Sequence, residues 1–394
     1  LASEGVSPDA KGNWLDLTHN DFDALLPIAS KATKLAKRTK DERAVFRLFT
    51  LGVVTNRDEW VYDDAPERLR DKVQYLIDSY ETERSAARKR GHVPAATIKW
   101  TRAVKRDLQA DVPYAYSEGE VVLANYRPFV QRWLYSSRRL NEMVYRTPEL
   151  YGNGQGRCST IVVSDPSGQK PWMCLAVDRL PDLHFVGAAA GAVCFGLSSV
   201  DEHGQRLDNI TDWALKQFTS HYKAGNGKRL PEPTKEGIFH YVYAVLHDPV
   251  YRETYALNLK RDFPRIPLHG SLRADFWRWA EWGRALMDLH IGYEQVEPWP
   301  LQCTEVPDEK ARAAGQAPKC ILKADPAAGR IVVDSETTLA GVPPAAWDYR
   351  LGNRSAIDWV LDQHKEKKPK DPTIRARFDT YRFADHKERV IDLL

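Results

Sequence analysis

No apolar run in the 394-residue sequence approaches the roughly 20 residues that a membrane span needs, so a membrane protein is not expected. The five cysteines, Cys158, Cys174, Cys194, Cys303 and Cys320, are odd in number, widely spaced and free of any C-x-x-C pair. That argues against a disulfide framework or a zinc site and fits reduced thiols in a cytoplasmic protein. No G-x-x-x-x-G-K-[ST] loop occurs, so nothing in the chain is built to hold a nucleoside triphosphate. A large excess of one charge is also missing: the net +3 is too small to announce a nucleic-acid binder. Internal repeats and long low-complexity linkers are absent, and the pieces are expected to pack as one compact body. The chain opens on Leu1-Ala2-Ser3-Glu4 without an initiator Met, a basic n-region or an apolar h-region, and is expected to be a piece of something longer.

What is present is an ordinary globular composition, 43% hydrophobic and 28% charged, at a length that suits two or three domains. The charge is unevenly placed. Arg84, Arg88, Lys89, Arg90, Lys99, Arg102, Lys105 and Arg106 follow one another with no acid between them, as do Arg127, Arg132, Arg138 and Arg139. One-sign stretches can track a phosphate backbone, and a solvated helix face can look the same.

Residues 1–115 read as mostly helical. Asn20-Asp21 suits the cap of a short helix with Phe22, Leu25, Leu26 and Ile28, and Asp41 the start of another with Val45, Leu48, Phe49 and Leu51. Pro66 precedes Leu69, Val73, Leu76, Ile77 and Tyr80 at the helical period, and residues 52–62 read as a strand or extended connector. Residues 116–235 turn to strands: 119–123, 129–135, and a hairpin of 159–163 with 172–177 around Asp165-Pro166-Ser167-Gly168. Residues 187–197 form a small-residue apolar run, 208–222 read as helix, and 223–233 as a basic Gly/Pro loop. In residues 236–394 two helices break at Asp248-Pro249, and a basic extended segment leads to a third, amphipathic helix. A hairpin of 320–323 with 330–333, a helix over 355–363 and a terminal helix over 383–394 complete the pattern.

Several motifs admit a catalytic reading. Asp248-Pro249-Val250-Tyr251 is one residue from the Asn/Asp-Pro-Pro-Tyr loop that amino-methyltransferases place on a flipped base. Val250 stands where the second proline would give rigidity, and no Gly-rich loop for S-adenosylmethionine precedes it, so the expected role is a helix cap with proline in the first turn. Asp182 with Glu366-Lys367-Lys368 imitates a nuclease motif at a very long separation, and Glu366 lies in a charged loop; surface charge is the simpler account. Gly152-Asn153-Gly154-Gln155-Gly156-Arg157 lacks the Lys-Ser/Thr of a phosphate loop and reads as a flexible loop. His247, His269 and His290 lack ligand spacing and suit capping or packing. The interleaving of Tyr126-Arg127-Pro128-Phe129, Arg132-Trp133, Tyr135, Arg138-Arg139 and Tyr145-Arg146 points to nucleic acid, because arginine meets both guanine edges and phosphates in bidentate fashion.

Six segments occur in an order that resembles the C-terminal part of type ISP and related type IIG single-polypeptide restriction-modification enzymes. They are WLDLTHNDFDALLPI, GVVTNRDEWVYD, YRPFVQRWLYSSRRLNEM, the PDLHF run, YVYAVLHDPVYRETYALNLKRDFPRIPL, and KEKKPKDPTIRARFDTYRFADHKERVIDLL, and they cover nearly the whole chain. The resemblance implies an α+β fold with a β-rich subdomain (116–235) packed against helical ones. Residues 1–115 would be the connector and tail of an N6-adenine methyltransferase, and 236–394 would complete a target recognition domain. It implies that S-adenosylmethionine, ATP and Mg belong to upstream methyltransferase and helicase-like domains of the same polypeptide, with no cofactor in this chain and double-stranded DNA as partner. The glycine-rich loop, the SDPSGQK hairpin and the 223–233 loop become groove-entering candidates. The candidate DNA contacts are Arg57, Arg127, Arg132, Arg138, Arg139, Arg157, Lys170, Lys223, Lys228, Arg229, Lys260 and Arg261. A divergent catalytic domain and a coupling scaffold for protein partners are the alternatives.

Overall fold

The computed structural model describes residues 7–9, 11–36, 41–90, 98–152, 154–166, 170–187, 190–225 and 230–394. The fold is α+β, as the resemblance implied, and its contacts gather into two compact units. The first comprises Leu1–Leu51, Cys158–Asp178 and Val186–Gly292, the second Gly52–Arg157, Arg179–Phe185 and Tyr293–Leu394. The chain therefore passes between units after residues 51, 157, 178, 185 and 292. The sequence boundary at 115 lies inside the second unit and that at 235 inside the first.

In the first unit an antiparallel sheet runs in the order Thr50–Leu51, Ala192–Gly196, Thr160–Ser164, Cys174–Val177. Every residue of the three longer strands is buried, which is why they read as continuous apolar runs rather than alternating ones. Residues 167–169 of the expected hairpin lie outside the described residues, but its two strands pair as the pattern predicts.

The helix expected from Asp41 does not form. Val45 N–H donates to the Pro27 carbonyl (2.9 Å), Phe46 N–H to Ile28 (3.0 Å) and Arg47 N–H to Asn209 (2.9 Å), and the segment ends as the strand Thr50–Leu51. Val45 and Phe46 are fully buried, and tertiary pairing overrides a helical spacing that β-branched and aromatic residues support only weakly. The cap at Asn20-Asp21 yields only the short turn Phe22–Ala24.

The helix Lys235–Val245 is buried without interruption from Gly237 to Val245, as befits a helix apolar all round. Thr234 caps it by accepting from Gly237 N–H at 3.0 Å. Arg273–Ile291 packs on it so closely that a Cβ on Gly283 would stand 1.8 Å from the His240 carbonyl oxygen. Asp248 caps Pro249–Thr254, accepting from Val250 N–H at 3.0 Å, while buried Tyr251 donates its hydroxyl to the Arg265 carbonyl at 2.8 Å. The near-match to a base-flipping loop is thus a helix cap. His247 contacts the Tyr243 carbonyl, His290 meets the Tyr243 hydroxyl, and His269 stacks on Trp279 with ring centres 4.5 Å apart. Burial pushes His247 down to about 3 and His290 to about 4, consistent with packing roles.

In the second unit the Pro66–Arg90 helix buries Leu69, Val73, Leu76, Ile77 and Tyr80 at the spacing the sequence shows. It contacts a three-stranded sheet in the order Tyr62–Asp63, Val130–Tyr135, Val121–Arg127. The 52–62 connector holds a single helical turn, Asp58–Val61, between its extended parts. A second sheet, in the order Gln302–Glu305, Thr337–Ala340, Arg330–Asp334, Cys320–Asp325, packs against Ala356–His364. Leu322, Ile331, Val333, Leu339, Val360 and Phe383 form its core.

The PDLHF run explains its own prominence. Val53 N–H donates to Pro181 (2.9 Å), Leu183 N–H to Val53 (2.8 Å) and Asp182 N–H to Asn125 (3.0 Å), so the segment bridges two parts of the unit. Gly52 permits this, since a Cβ there would sit 2.6 Å from the Asp182 carbonyl oxygen. Among the described residues no helix is long and apolar enough to cross a membrane.

Candidate nucleic-acid interface

The basic residues singled out from the sequence divide between the units. Arg57, Arg127, Arg132, Arg138, Arg139 and Arg157 belong to the second, Lys170, Lys223, Lys260 and Arg261 to the first. Lys228 and Arg229 lie outside the described residues.

Within the second unit the arginines fall into two groups. Arg127 is an internal residue: its side chain is 12% exposed and donates to Asp182 Oδ1 at 2.8 Å, and its guanidinium lies 3.9 Å from the Tyr126 ring centre. Arg132 covers the same ring at 4.6 Å and donates to the Gln363 carbonyl at 3.2 Å. Tyr126 donates its hydroxyl to Asp58 Oδ2 (2.9 Å), and Tyr62 donates to Asp182 Oδ2 (3.3 Å). Burial raises the Asp182 carboxyl above the usual carboxylate range against the pull of Arg127, and burial pushes Tyr126 up to about 12. Burial opposes the Arg127 charge, but Asp182 prevails and holds its pKa above the ordinary value.

Asp182, half of the nuclease-like pair, is thus engaged by Arg127, Tyr62 and the His184 N–H, and exposed Glu366 accepts from Phe383 N–H at 2.8 Å. Arg57 is also internal: it donates to Thr101 Oγ1 and lies 4.0 Å from Glu142, and burial lowers its pKa.

The second group stands at one end of the three-stranded sheet. After Tyr135 the chain turns, with Ser136 N–H donating to Glu120 (2.7 Å) and Asn141 N–H to Ser137 (2.8 Å). Met143 then exchanges both backbone hydrogen bonds with Val54, at 3.1 and 2.8 Å. The glycine-rich loop lies alongside: Gly154, at φ +90°, has room only for hydrogen, since a Cβ would meet Ser136 Oγ at 2.9 Å. Gln155 Nε2 donates to the Gly119 carbonyl at 2.7 Å. Arg138, Val144, Tyr151, Gly152 and Gly154 share one small cleft, which places turn and loop side by side.

On this surface Arg138, Arg139, Met143, Tyr145, Gln155 and Arg157 are exposed. Arg139 makes a loose pair with Asp107 at 3.4 Å, and Arg138 has no hydrogen bond or ion pair among the described residues. The sequence reading missed Met143, whose exposure follows from the bridge to Val54 and leaves no mark in composition.

The first unit holds the remaining described candidates. Arg261 donates to the Asp16 carbonyl at 2.9 Å and lies 3.7 Å from Asp9. Lys223 and Lys260 are exposed, and Lys223 is fixed through its backbone to Ser271 and Arg273.

A family model described as the Type ISP C-terminal specificity domain matches residues 44–393. Among solved structures, a DrdV–DNA complex determined by cryo-EM is 46% identical over 99% of this chain, with a TM-score of 0.89. A nuclease-deletion mutant of the Type ISP restriction-modification enzyme LlaGI, in complex with a DNA substrate mimic, is 25% identical over 99%, with a TM-score of 0.77. The ATP-dependent Type ISP restriction-modification enzyme LlaBIII bound to DNA shares the fold, at 21% identity over 99% and a TM-score of 0.78. The chain spans 38%, 29% and 24% of these three proteins respectively. No curated protein matches it.

Proposed function

The chain belongs to the family of Type ISP C-terminal specificity domains, and from that premise we propose that it is the DNA-reading part of a restriction-modification enzyme. It docks on double-stranded DNA and so places an N6-adenine methyltransferase and an ATP-dependent nuclease and translocase on a short site. Those activities, with their S-adenosylmethionine, ATP and Mg, reside in upstream domains of the same cytoplasmic polypeptide. The DNA-bound states of DrdV, LlaGI and LlaBIII support the reading.

The observation that carries it onto particular residues is the exposed end of the three-stranded sheet. There Arg138, Arg139 and Arg157 stand on a backbone fixed by Ser136, Val54 and the glycine-rich loop. Guanidiniums held on a rigid frame suit phosphates and base edges alike, phosphates for register and edges for sequence.

Titration of the chain against random and genomic duplexes over a range of salt tests the proposal. Binding should weaken steeply with salt, with a log–log slope that grows by about 0.9 for each phosphate neutralised. The triple variant Arg138→Ala, Arg139→Ala, Arg157→Ala should flatten that slope by about 2–3 units. An unchanged slope would remove this surface from the interface, and no binding by the unaltered chain at low salt would remove DNA reading.

A further inference from the structure

Among the described residues, six that are not glycine adopt positive φ: Asp16, Asn56, Asp111, Phe129, Tyr145 and Leu322. Aspartate and asparagine tolerate the left-handed region because their short polar side chains bond locally. For a bulky residue it is a strained state that persists only when the surroundings hold it there. Two of the bulky three are held by packing. The Phe129 ring lies 5.3 Å from Tyr293 and 6.5 Å from Tyr349, and Leu322 is 1% exposed within the core of its sheet.

Tyr145 has no such compensation. At φ +45° its side chain is 39% exposed, and it makes neither a ring contact nor a side-chain hydrogen bond among the described residues. The backbone imposes the strain from both sides: Met143 is bonded twice to Val54, and Thr147 N–H donates to Val144 at 3.1 Å. Met143 is itself 48% exposed. A partly exposed aromatic ring and a thioether thus lie on the chain segment that follows exposed Arg138 and Arg139 and precedes the half-exposed pair Arg146–Glu149, in the same unit as exposed Arg157.

We propose that Tyr145, with Met143 beside it, is the base-contacting wedge of this surface, its ring stacking on a nucleobase at a partly unstacked step of the duplex. This rests on the DNA-reading proposal above and adds the element that meets the bases. Every base offers a π-face, and apolar side chains that enter a base step bend the duplex toward more protein surface. The flanking guanidiniums supply the phosphate grip that an uncharged ring cannot. The ring releases no counterions, so its contribution is separable from theirs by salt.

The test uses the full chain and random-sequence duplexes enriched on the unaltered protein, with 2-aminopurine substituted position by position. Tyr145→Gly should lower affinity by about 5- to 150-fold, the equivalent of about 1–3 kcal/mol of stacking. It should leave the salt slope unchanged and abolish the 2-aminopurine fluorescence change. Its Tm should be no lower than that of the unaltered chain, because glycine adopts positive φ without strain. Tyr145→Phe should bind as the unaltered chain does, since the hydroxyl has no partner to lose. Equal binding by Tyr145→Gly, or an affinity loss accompanied by a lower Tm and matched by Tyr145→Phe, would overturn the wedge and leave the docking proposal standing. No binding by the unaltered chain would overturn both.

Discussion

Around Tyr126 two guanidiniums cover one ring, and the carboxylates of Asp58 and Asp182 close the network from below. Further along the same unit, Arg138, Arg139, Tyr145 and Arg157 are exposed. In sequence the two clusters look alike, tyrosine and arginine alternating within a few residues. What separates them is how deeply the counter-charges bury the arginines: Arg127 and Asp182 are 12% and 3% exposed, whereas Arg139, 3.4 Å from Asp107, stays 56% exposed. Asp182 reaches Arg127 across 55 residues of chain, and once paired and buried the arginine is a structural part. Among the described residues Arg138 meets no such partner. Composition registers the alternation; only the fold distributes the counter-charges.

The contrast can be broken most decisively at Arg127. Arg127→Ala should leave the Asp182 charge unpaired in a buried site and cost about 3–5 kcal/mol in chemical denaturation. The paired replacement Arg127→Met with Asp182→Asn should recover part of that loss, because it removes both charges while the amide oxygen can still accept from Tyr62 or the His184 N–H. A stable Arg127→Ala chain with weakened DNA binding would invert the assignment of the two clusters. Tyr62→Phe probes the same network more gently. It removes the 3.3 Å bond to Asp182 Oδ2 and should cost about 0.5–1.5 kcal/mol, with DNA affinity untouched. The smallest effect on the fold is expected at Arg138→Ala: a stability change within about 0.5 kcal/mol together with a salt slope shallower by about 0.9. A large stability loss there would mean that Arg138 serves the fold as Arg127 does.

Much of the architecture was legible because its signals are local. Pro66, Asp248 and Ser355 mark helix starts, and each stands in the structure at or next to a first helical turn. The hairpin of Cys320–Asp325 with Arg330–Asp334 turns at Gly329 in the left-handed conformation, as the turn residues between its strands suggested. The failure at Asp41 has the opposite cause: the hydrogen bonds that hold 45–47 extended come from Pro27, Ile28 and Asn209, which no local pattern reports. The candidate site was legible as a region and not as residues. The basic and aromatic stretch from 126 to 157 was visible, but burial sorted it, moving Arg127 inward and leaving Arg138 and Tyr145 outside. The positive φ of Tyr145 belongs to a backbone held at neighbouring positions, and no residue type announces it.

The five passages of the chain between its two units also bear on inheritance. Any single crossover placed after residue 52 and before residue 292 leaves a part of each unit on either side. A crossover between residues 54 and 180, for example, must match Thr50–Leu51 of one parent to Ala192–Gly196 of the other and Val53 to the 181–183 segment. Block exchange, which alters specificity readily where a reader is one continuous stretch, is penalised here by misfit in two places. Point changes at the exposed described side chains of 138–157 leave that matching intact, since those side chains lie outside both cores.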